Sequence, residues 1–246
     1  MHMTYGVQIH VGCAGWAVPK ALADRFPAEG SHLERYSARL PAVEINSSFR
    51  DYHLPRTYAR WAAATPADFH FAVKMHQELT HVTRLEDPSL LGPFLEPVRE
   101  LGNKLGPILI QLPPSLGFDR QVARRFFTAL RRRFDGGVAC EPRHADWFTG
   151  EVEAFLVEFQ VARVAADPAR RPEGLHPAGW PGVVYYRWHG APKIYTSSYP
   201  DAALDEIAER VTAAPATADR WCIFNNTAEH AAAANALGVL ARLRDD

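Results

Sequence analysis

Val43-Glu44-Ile45-Asn46 is a short apolar run that ends on polar side chains. The same form returns in Phe71-Ala72-Val73-Lys74, Ile108-Leu109-Ile110-Gln111, Val138-Ala139-Cys140-Glu141 and Cys222-Ile223-Phe224-Asn225-Asn226. Eight such segments, at 7–13, 42–47, 69–75, 106–112, 137–141, 161–167, 183–188 and 220–225, are rich in Val and Ile and bounded by Gly, Pro or Asp. Their starts are about one helix and two loops apart, which is the spacing of parallel strands joined by crossover helices. The chain of 246 residues has the length of a (β/α)8 barrel, about 250. The predicted fold is therefore α/β: one TIM-barrel-like domain over 1–246.

The stretches between these runs carry helical spacing. Leu33, Tyr36 and Leu40 share a face, as do Thr57, Tyr58 and Trp61; Phe126, Leu130 and Phe134 repeat the pattern, followed by Val152, Phe155 and Phe159. Asp119 and Asp201 stand where N-caps would open their helices. The final helix is expected over 227–242, with Leu237 and Leu240 inward. One βα unit is irregular: Pro168, Pro172, Gly174, Pro177, Gly179 and Pro181 leave no room for a normal helix near 168–182. A loop that follows a barrel strand lies at the face where such barrels hold their sites.

Composition narrows the function. Lys+Arg 27 against Asp+Glu 28 gives a weak overall field, a poor basis for binding duplex DNA by phosphate neutralisation. The arginines of the fourth helix (Arg120, Arg124, Arg125, Arg131, Arg132 and Arg133) read as a solvated outer face, because no exposed aromatics interleave with them. Cys13, Cys140 and Cys222 are odd in number, without paired spacing, and read as small buried hydrophobes. Residues 1–6 lack a basic region followed by an apolar stretch, and no apolar run reaches the roughly 20 residues of a membrane span. A cytoplasmic protein without membrane contact is expected.

Side chains of a strand alternate between two faces. If Val43 and Ile45 face the helices, Glu44 and Asn46 face the lumen. The same parity sends Lys74 inward from strand three, Gln111 from strand four, Glu141 and Arg143 from the end of strand five, and Tyr185, Arg187 and His189 from strand seven. Asp167 ends strand six. Asn225 and Asn226 cannot both point inward, and parity does not choose between them. These polar groups gather at the C-terminal strand ends, where barrel enzymes place their chemistry, whereas the strand beginnings read as apolar. Trp16, His81 and Arg84 would line the mouth from loops.

The same strings resemble a known family. Gly12-Cys13-Ala14-Gly15-Trp16, Glu44-Ile45-Asn46-Ser47-Ser48-Phe49, Thr80-His81 with Arg84-Leu85, Gln111-Leu112-Pro113-Pro114-Ser115, Glu141-Pro142-Arg143-His144, Arg187-Trp188-His189-Gly190 and Phe224-Asn225-Asn226 resemble the YecE-like proteins, domain of unknown function 72. That resemblance implies a TIM-barrel-like fold and a site at the strand ends, and it supplies no reaction. Arg50 and Pro142 stand where the family commonly has aromatics, which alters the rim of the pocket.

Three functions fit this constellation. The leading expectation is a metal-independent enzyme without a cofactor, a hydrolase or lyase acting on a small anionic or polyhydroxylated metabolite. Its catalytic candidates are Glu44, Lys74, Glu141 and His189; Asn46, Gln111, Arg143, Asp167, Arg187, Asn225, Trp16 and His81 would bind substrate. Lys74, Arg143 and Arg187 would hold an anion through charge-assisted bonds. On a ring of eight strands the carboxyls of Glu44 and Glu141 come about 6 Å apart, near glycosidase spacing. Three neighbouring cations, however, would keep both ionised, and a general acid needs its proton. The alternative is a non-catalytic module for a nucleotide or single-stranded nucleic acid, with Trp16 and Tyr185 as stacking surfaces. The third is a structural barrel plugged by ion pairs among Glu44, Glu141, Asp167, Lys74, Arg143 and Arg187. Oligomeric state is left open.

Overall fold

The computed structural model describes residues 9–245. Ten strands form one sheet: β1 (Ile9–Ala14), β2 (Ala42–Ile45), β3 (His70–Lys74), β4 (Leu105–Gln111), β5 (Val138–Glu141), β6 (Ala162–Arg163), β7 (Ala165–Asp167), β8 (Ala178–Gly179), β9 (Val183–Trp188) and β10 (Asp219–Phe224). Their order is β7-β9-β10-β1-β2-β3-β4-β5-β6-β8. The expected first strand begins at residue 7; positions 7 and 8 lie outside the described residues.

The sixth expected strand, 161–167, is present as two pieces. β6 pairs with β5, whereas β7 pairs with β9. The chain changes neighbours at Val164, whose N–H donates to the Cys140 carbonyl at 2.8 Å. Because β6 and β7 are contiguous in the chain, this handover closes a parallel ring of eight staves, the TIM-barrel-like fold that the spacing predicts. In the irregular unit the place of a crossover helix is taken by a 3-10 turn at Pro172–Leu175 and by β8, which runs antiparallel to β6.

The α-helices are α1 (His32–Ser37), α2 (Pro55–Ala63), α3 (Leu91–Val98), α4 (Arg120–Arg131), α5 (Gly150–Glu158), α6 (Asp201–Ala213) and α7 (Ala231–Asp245). Ser31 and Glu34 form a capping box on α1. The Asp119 carboxylate accepts from the Gln121 and Val122 amides at 2.8 and 2.9 Å, the N-cap expected of it. Asp201 departs from expectation. It is the first helical residue after Pro200 and makes no cap bond; its carboxylate accepts from Arg242 at 3.1 Å. The last helix starts at Ala231, four residues later than its alanine content suggests.

Two apolar layers flank the sheet. Outside, Tyr36, Phe126, Phe127, Leu130 and Phe155 are buried against Val43, Ile45, Phe71 and Val73, each contributing about 1.5–3 kcal/mol over exposure. Tyr36 also staples β1 to β2: its hydroxyl accepts from the Cys13 amide at 2.8 Å and donates to the Ala42 carbonyl at 2.9 Å. The strands run so close here that a Cβ on Gly12 would stand 2.0 Å from the Ala42 oxygen. Inside, Ala42, Ala72, Ala139 and Ala162 leave space for Tyr185 and Trp221, whose rings stack at 6.0 Å and 4°. Gly106 completes that fit, because a Cβ there would meet the Trp221 ring at 2.3 Å.

The arginines of α4 lie on the outer face and are largely paired: Arg120 with Glu151, Arg124 with Glu158, and Arg131 with the carbonyls of Phe159 and Gln160. All three cysteines are free and buried. Burial pushes the thiols of Cys13 and Cys222 up to about 12. Among the described residues no helix is long and apolar enough to cross a membrane.

Candidate functional site

Parallel register fixes which side chains share the lumen. Ala14, Glu44 and Ala72 are in register across β1, β2 and β3, as are Lys74 with Leu109 and Gln111 with Glu141. In β9 and β10, Tyr185 faces Trp221 and Arg187 faces Ile223. Period-two alternation therefore delivers Glu44, Lys74, Gln111, Glu141 and Arg187 to one mouth.

The floor of that mouth is an ion-paired unit. Arg187 is fully buried. Its Nε and Nη2 donate to the two oxygens of Glu44 at 3.0 and 2.7 Å, and its Nη1 donates to Glu141 Oε2 at 2.5 Å. Tyr185 donates from beneath to Glu44 Oε2 at 2.9 Å. The remaining Glu141 oxygen accepts from Arg143 Nη2 at 2.8 Å and Nε at 3.1 Å. Burial acts to raise the Glu141 carboxyl, yet Arg187, His189 and Arg143 together hold it well below the usual carboxylate range. Both glutamates have all four oxygens engaged. Glu44 is sealed from solvent and positions Arg187; it has no route to a solute.

The rim is different in kind. His189 is buried, and the Asn225 side-chain amide donates to its Nδ1 at 3.0 Å, which leaves the ring proton on Nε2. That nitrogen stands 3.3 Å from Glu141 Oε1, near enough for attraction but without the alignment of a hydrogen bond. Burial lowers the His189 pKa against the pull of Glu141, so the ring is neutral at pH 7. Lys74 is 7% exposed, and its Nζ sits 4.1 Å above the Phe49 ring. Among the described residues the Lys74 ammonium makes no ion pair or hydrogen bond. Burial, and then Arg187, lowers its amine to about 8, against Glu44 and Glu141. His81, edge-on to Phe49 at 5.0 Å, is lowered by burial and then by Lys74 and Arg143. It is held on a π-helical turn at Glu78–Val82 that follows β3.

Glu141, Arg143 and His189 form one wall of a small cleft of about 60 Å³; its opposite side is the irregular loop, with Pro168, Arg170 and Gly174. Arg170 is exposed and, among the described residues, unpaired. The Tyr195 ring stands edge-on to His189 at 5.7 Å. Neither Arg170 nor Tyr195 was predicted, because irregular loops carry no periodicity. The one signal was a basic residue in a proline-punctuated loop after a strand end.

Of the predicted residues Glu141, Arg143 and His189 line this cleft, and five others, Asp167, Trp16, Asn46, Arg84 and Tyr185, lie apart from the mouth. Asp167 is in register with Trp188 on the outward face, and its Oδ2 accepts from Tyr199 at 2.7 Å, so it joins neither floor nor rim. Trp16 and Asn46 border a separate groove of about 340 Å³ over β1 and β2, with Trp16 edge-on to Trp61 at 5.0 Å. Arg84 turns away and donates to Ser115. Tyr185, a proposed stacking surface, is fully buried under the floor. Asn225 faces the lumen; Asn226 turns outward to the Ser197 carbonyl and Asn235.

The strand beginnings also hold polar groups that the apolar reading overlooks. Asp219 Oδ1 lies 3.1 Å from His10 Nε2, and Asp219 Oδ2 accepts from the Trp221 indole at 2.8 Å. His10 stacks on Trp221 at 4.5 Å and meets His70 edge-on at 4.7 Å.

With fold and site in view, comparison decides the family. The profile of the family described as "Protein of unknown function DUF72" matches residues 10–246. The chain belongs to the DUF72 family. A curated relative of this DUF72 chain is the UPF0759 protein YunF of Bacillus subtilis (strain 168), 28% identical over 153 residues, which are 57% of this chain and 52% of that protein. The match thus spans about half the length of that relative. Among solved structures, a DUF72 family protein of Enterococcus faecalis V583 superimposes with a TM-score of 0.81 at 21% identity, covering 96% of each chain. Another from Thermotoga maritima MSB8 gives 0.75 at 24% identity, covering 96% of this DUF72 chain and 99% of the other. These likenesses fix the fold; they carry no substrate.

Proposed function

We propose that the mouth is the active site of a cytoplasmic, metal-independent enzyme, a lyase or hydrolase, acting on a small metabolite that carries a phosphate or carboxylate. The observation that carries this reading is the surplus of cations above a neutralised floor. Arg187 and one edge of Arg143 already satisfy Glu44 and Glu141. Among the described residues neither Arg170 nor Lys74, whose ammonium meets only the face of Phe49, has an anionic partner, so a solute anion is their natural complement. Two carboxylates enclosed by guanidinium groups make poor metal ligands, and among the described residues no three His, Cys, Asp or Glu side chains cluster as a metal site would require. His189, neutral and oriented by Asn225, is placed to move a proton at Nε2. Gln111 would orient a hydroxyl.

Electrostatics favour lyase or acyl chemistry over glycoside hydrolysis, since Glu141 is held ionised and Glu44 is sealed. The alternative, a module for a nucleotide or single-stranded nucleic acid, keeps the cations but loses Tyr185 as a stacking surface. The test is thermal unfolding with inorganic phosphate, pyruvate and a short oligonucleotide. Phosphate or pyruvate at about 100 times Kd should stabilise the protein by about 2.7 kcal/mol, and Arg143→Ala or Arg170→Ala should remove that gain. A shift from the oligonucleotide alone would transfer the site to the alternative; no shift from any of the three would end the enzyme reading.

A further inference from the structure

The chain holds only four lysines, Lys20, Lys74, Lys104 and Lys193, among its 27 basic Lys and Arg residues. Arginine is thus the residue used almost everywhere a positive charge is needed. Two of the four lysines are drawn inward, and they are treated in opposite ways. Lys104 donates to the Ala62 carbonyl at 2.6 Å, the Thr65 carbonyl at 2.7 Å and the Thr65 hydroxyl at 3.0 Å. All three of its protons are used, which is the arrangement of a structural ammonium. Lys74 is more deeply enclosed, yet it meets only the face of Phe49. The two carboxylates that could have paired with it are occupied by Arg187 and Arg143.

We propose that Lys74 is a nucleophile that forms a Schiff base with a small aldehyde or ketone bearing a phosphate or carboxylate. This rests on the reading of the mouth as an anion-binding active site, and it selects the lyase branch of that reading. An arginine at position 74 would bind an anion as well or better; only lysine can shed its proton and offer a lone pair. The neutral Nζ attacks the carbonyl carbon, and the carbonyl electron pair moves to oxygen. Nitrogen gives up one proton as oxygen takes one, leaving a neutral carbinolamine. A second proton from solvent lets that oxygen depart as water while the C=N bond forms. The products are one water and a protonated imine, with no oxidant or reductant consumed. The imine then accepts the electron pair of a neighbouring C–H bond whose proton passes to water, or of a C–C bond whose other carbon leaves as an aldehyde while its hydroxyl proton passes to water. The resulting enamine takes back a proton at carbon, and addition of water releases the product and the free amine, while Arg143 and Arg170 hold the anionic end.

The chemistry also suits the pH of the cell. With the amine lowered to about 8 by burial and Arg187, Lys74 holds on the order of a hundredfold more neutral amine at pH 7 than an ordinary lysine.

Reductive trapping tests the idea directly. The full chain is incubated with pyruvate or with dihydroxyacetone phosphate and sodium cyanoborohydride from pH 6 to 9, then weighed intact and mapped by peptide mass. Labelling is expected at Lys74 in excess of exposed Lys20 and Lys193, rising through about pH 8 and absent in Lys74→Arg. Label spread evenly over Lys20 and Lys193, or none at Lys74, overturns the proposal. Thermal unfolding with inorganic phosphate on the same samples separates the two claims. A phosphate shift without an adduct sinks the Schiff base and leaves anion binding standing; neither signal sinks both. An adduct at Lys74 supports the proposal whether or not phosphate shifts the melting.

Discussion

At the closed end of the lumen one carboxylate, Asp219, faces two ring nitrogens, while stacked His10, Trp221 and Tyr185 fill the cross-section. At the mouth two carboxylates share a guanidinium, and further cations stand above them. The closed end is completed by aromatic bulk, and its polar groups satisfy one another. The mouth is also neutral at its floor but, among the described residues, leaves Lys74 and Arg170 without an anionic partner. A barrel that only needed its ends plugged could have used the aromatic solution twice. The difference separates charge spent on holding the staves together from charge left for a solute.

The sharpest way to break this comparison is Arg187→Met. It strands two buried carboxylates, and a loss of about 3–5 kcal/mol is expected in urea unfolding. Adding Glu44→Gln and Glu141→Gln should recover much of that loss; no recovery would mean that Arg187 acts through packing alone. The matching change at the closed end is Gly106→Ala, which drives a methyl into the Trp221 ring. It should cost about 1–3 kcal/mol while leaving phosphate binding at the mouth unchanged; a lost phosphate response would show that the two ends are coupled.

The smallest expected effect is with pH. Burial, and for His70 also its neighbour His10, lowers the pKa of His70 and of His189 below the ordinary 6.5. The fold therefore favours neutral rings, and stability should decline as pH falls below 6.5, where the unfolded chain takes up protons first. Glu141, held low, adds a second decline only as pH drops below its ordinary 4.5. Urea midpoints across pH 4–8 check this. His70→Gln and His189→Asn should each flatten the first decline in part, with His53 and His81, also lowered by burial, carrying the rest; an unchanged slope in both variants would refute the assignment.

Much of this was legible beforehand, and the physics says where legibility ended. Glu44, Lys74, Gln111, Glu141 and Arg187 could be placed because each ends a run with contrast between its two faces. Strand six carries the contrast with its sense reversed: Arg163 and Asp167 share one parity and Ala162, Val164 and Ala166 the other. Here the apolar side faces the lumen while Arg163 reaches out to Glu153 at 3.0 Å, so a rule that sends polar side chains inward misplaces Asp167. Asn225 and Asn226 were undecidable for another reason, since both follow the last residue of β10 and only tertiary partners separate them. His10, His70 and Asp219 escaped because three isolated polar residues at strand starts are read singly, whereas their meaning lies in closing the ring. Asp201 has the right residue type for a cap, but Pro200 takes that position and Arg242 takes the charge.

The handover at Val164 has a mechanical side. Two register pairs, Ala139 with Ala162 and Cys140 with Arg163, and the Val164–Cys140 hydrogen bond join β5 to β6, so the hoop is least firmly riveted beside the cleft. Amide exchange should be fastest there among the staves. The loop that carries Arg170 is hung from that joint, whereas the ledge bearing Lys74 belongs to longer, better-laced strands. A guest would thus meet one rigid jaw and one compliant jaw, and its girth could vary more than its reactive end.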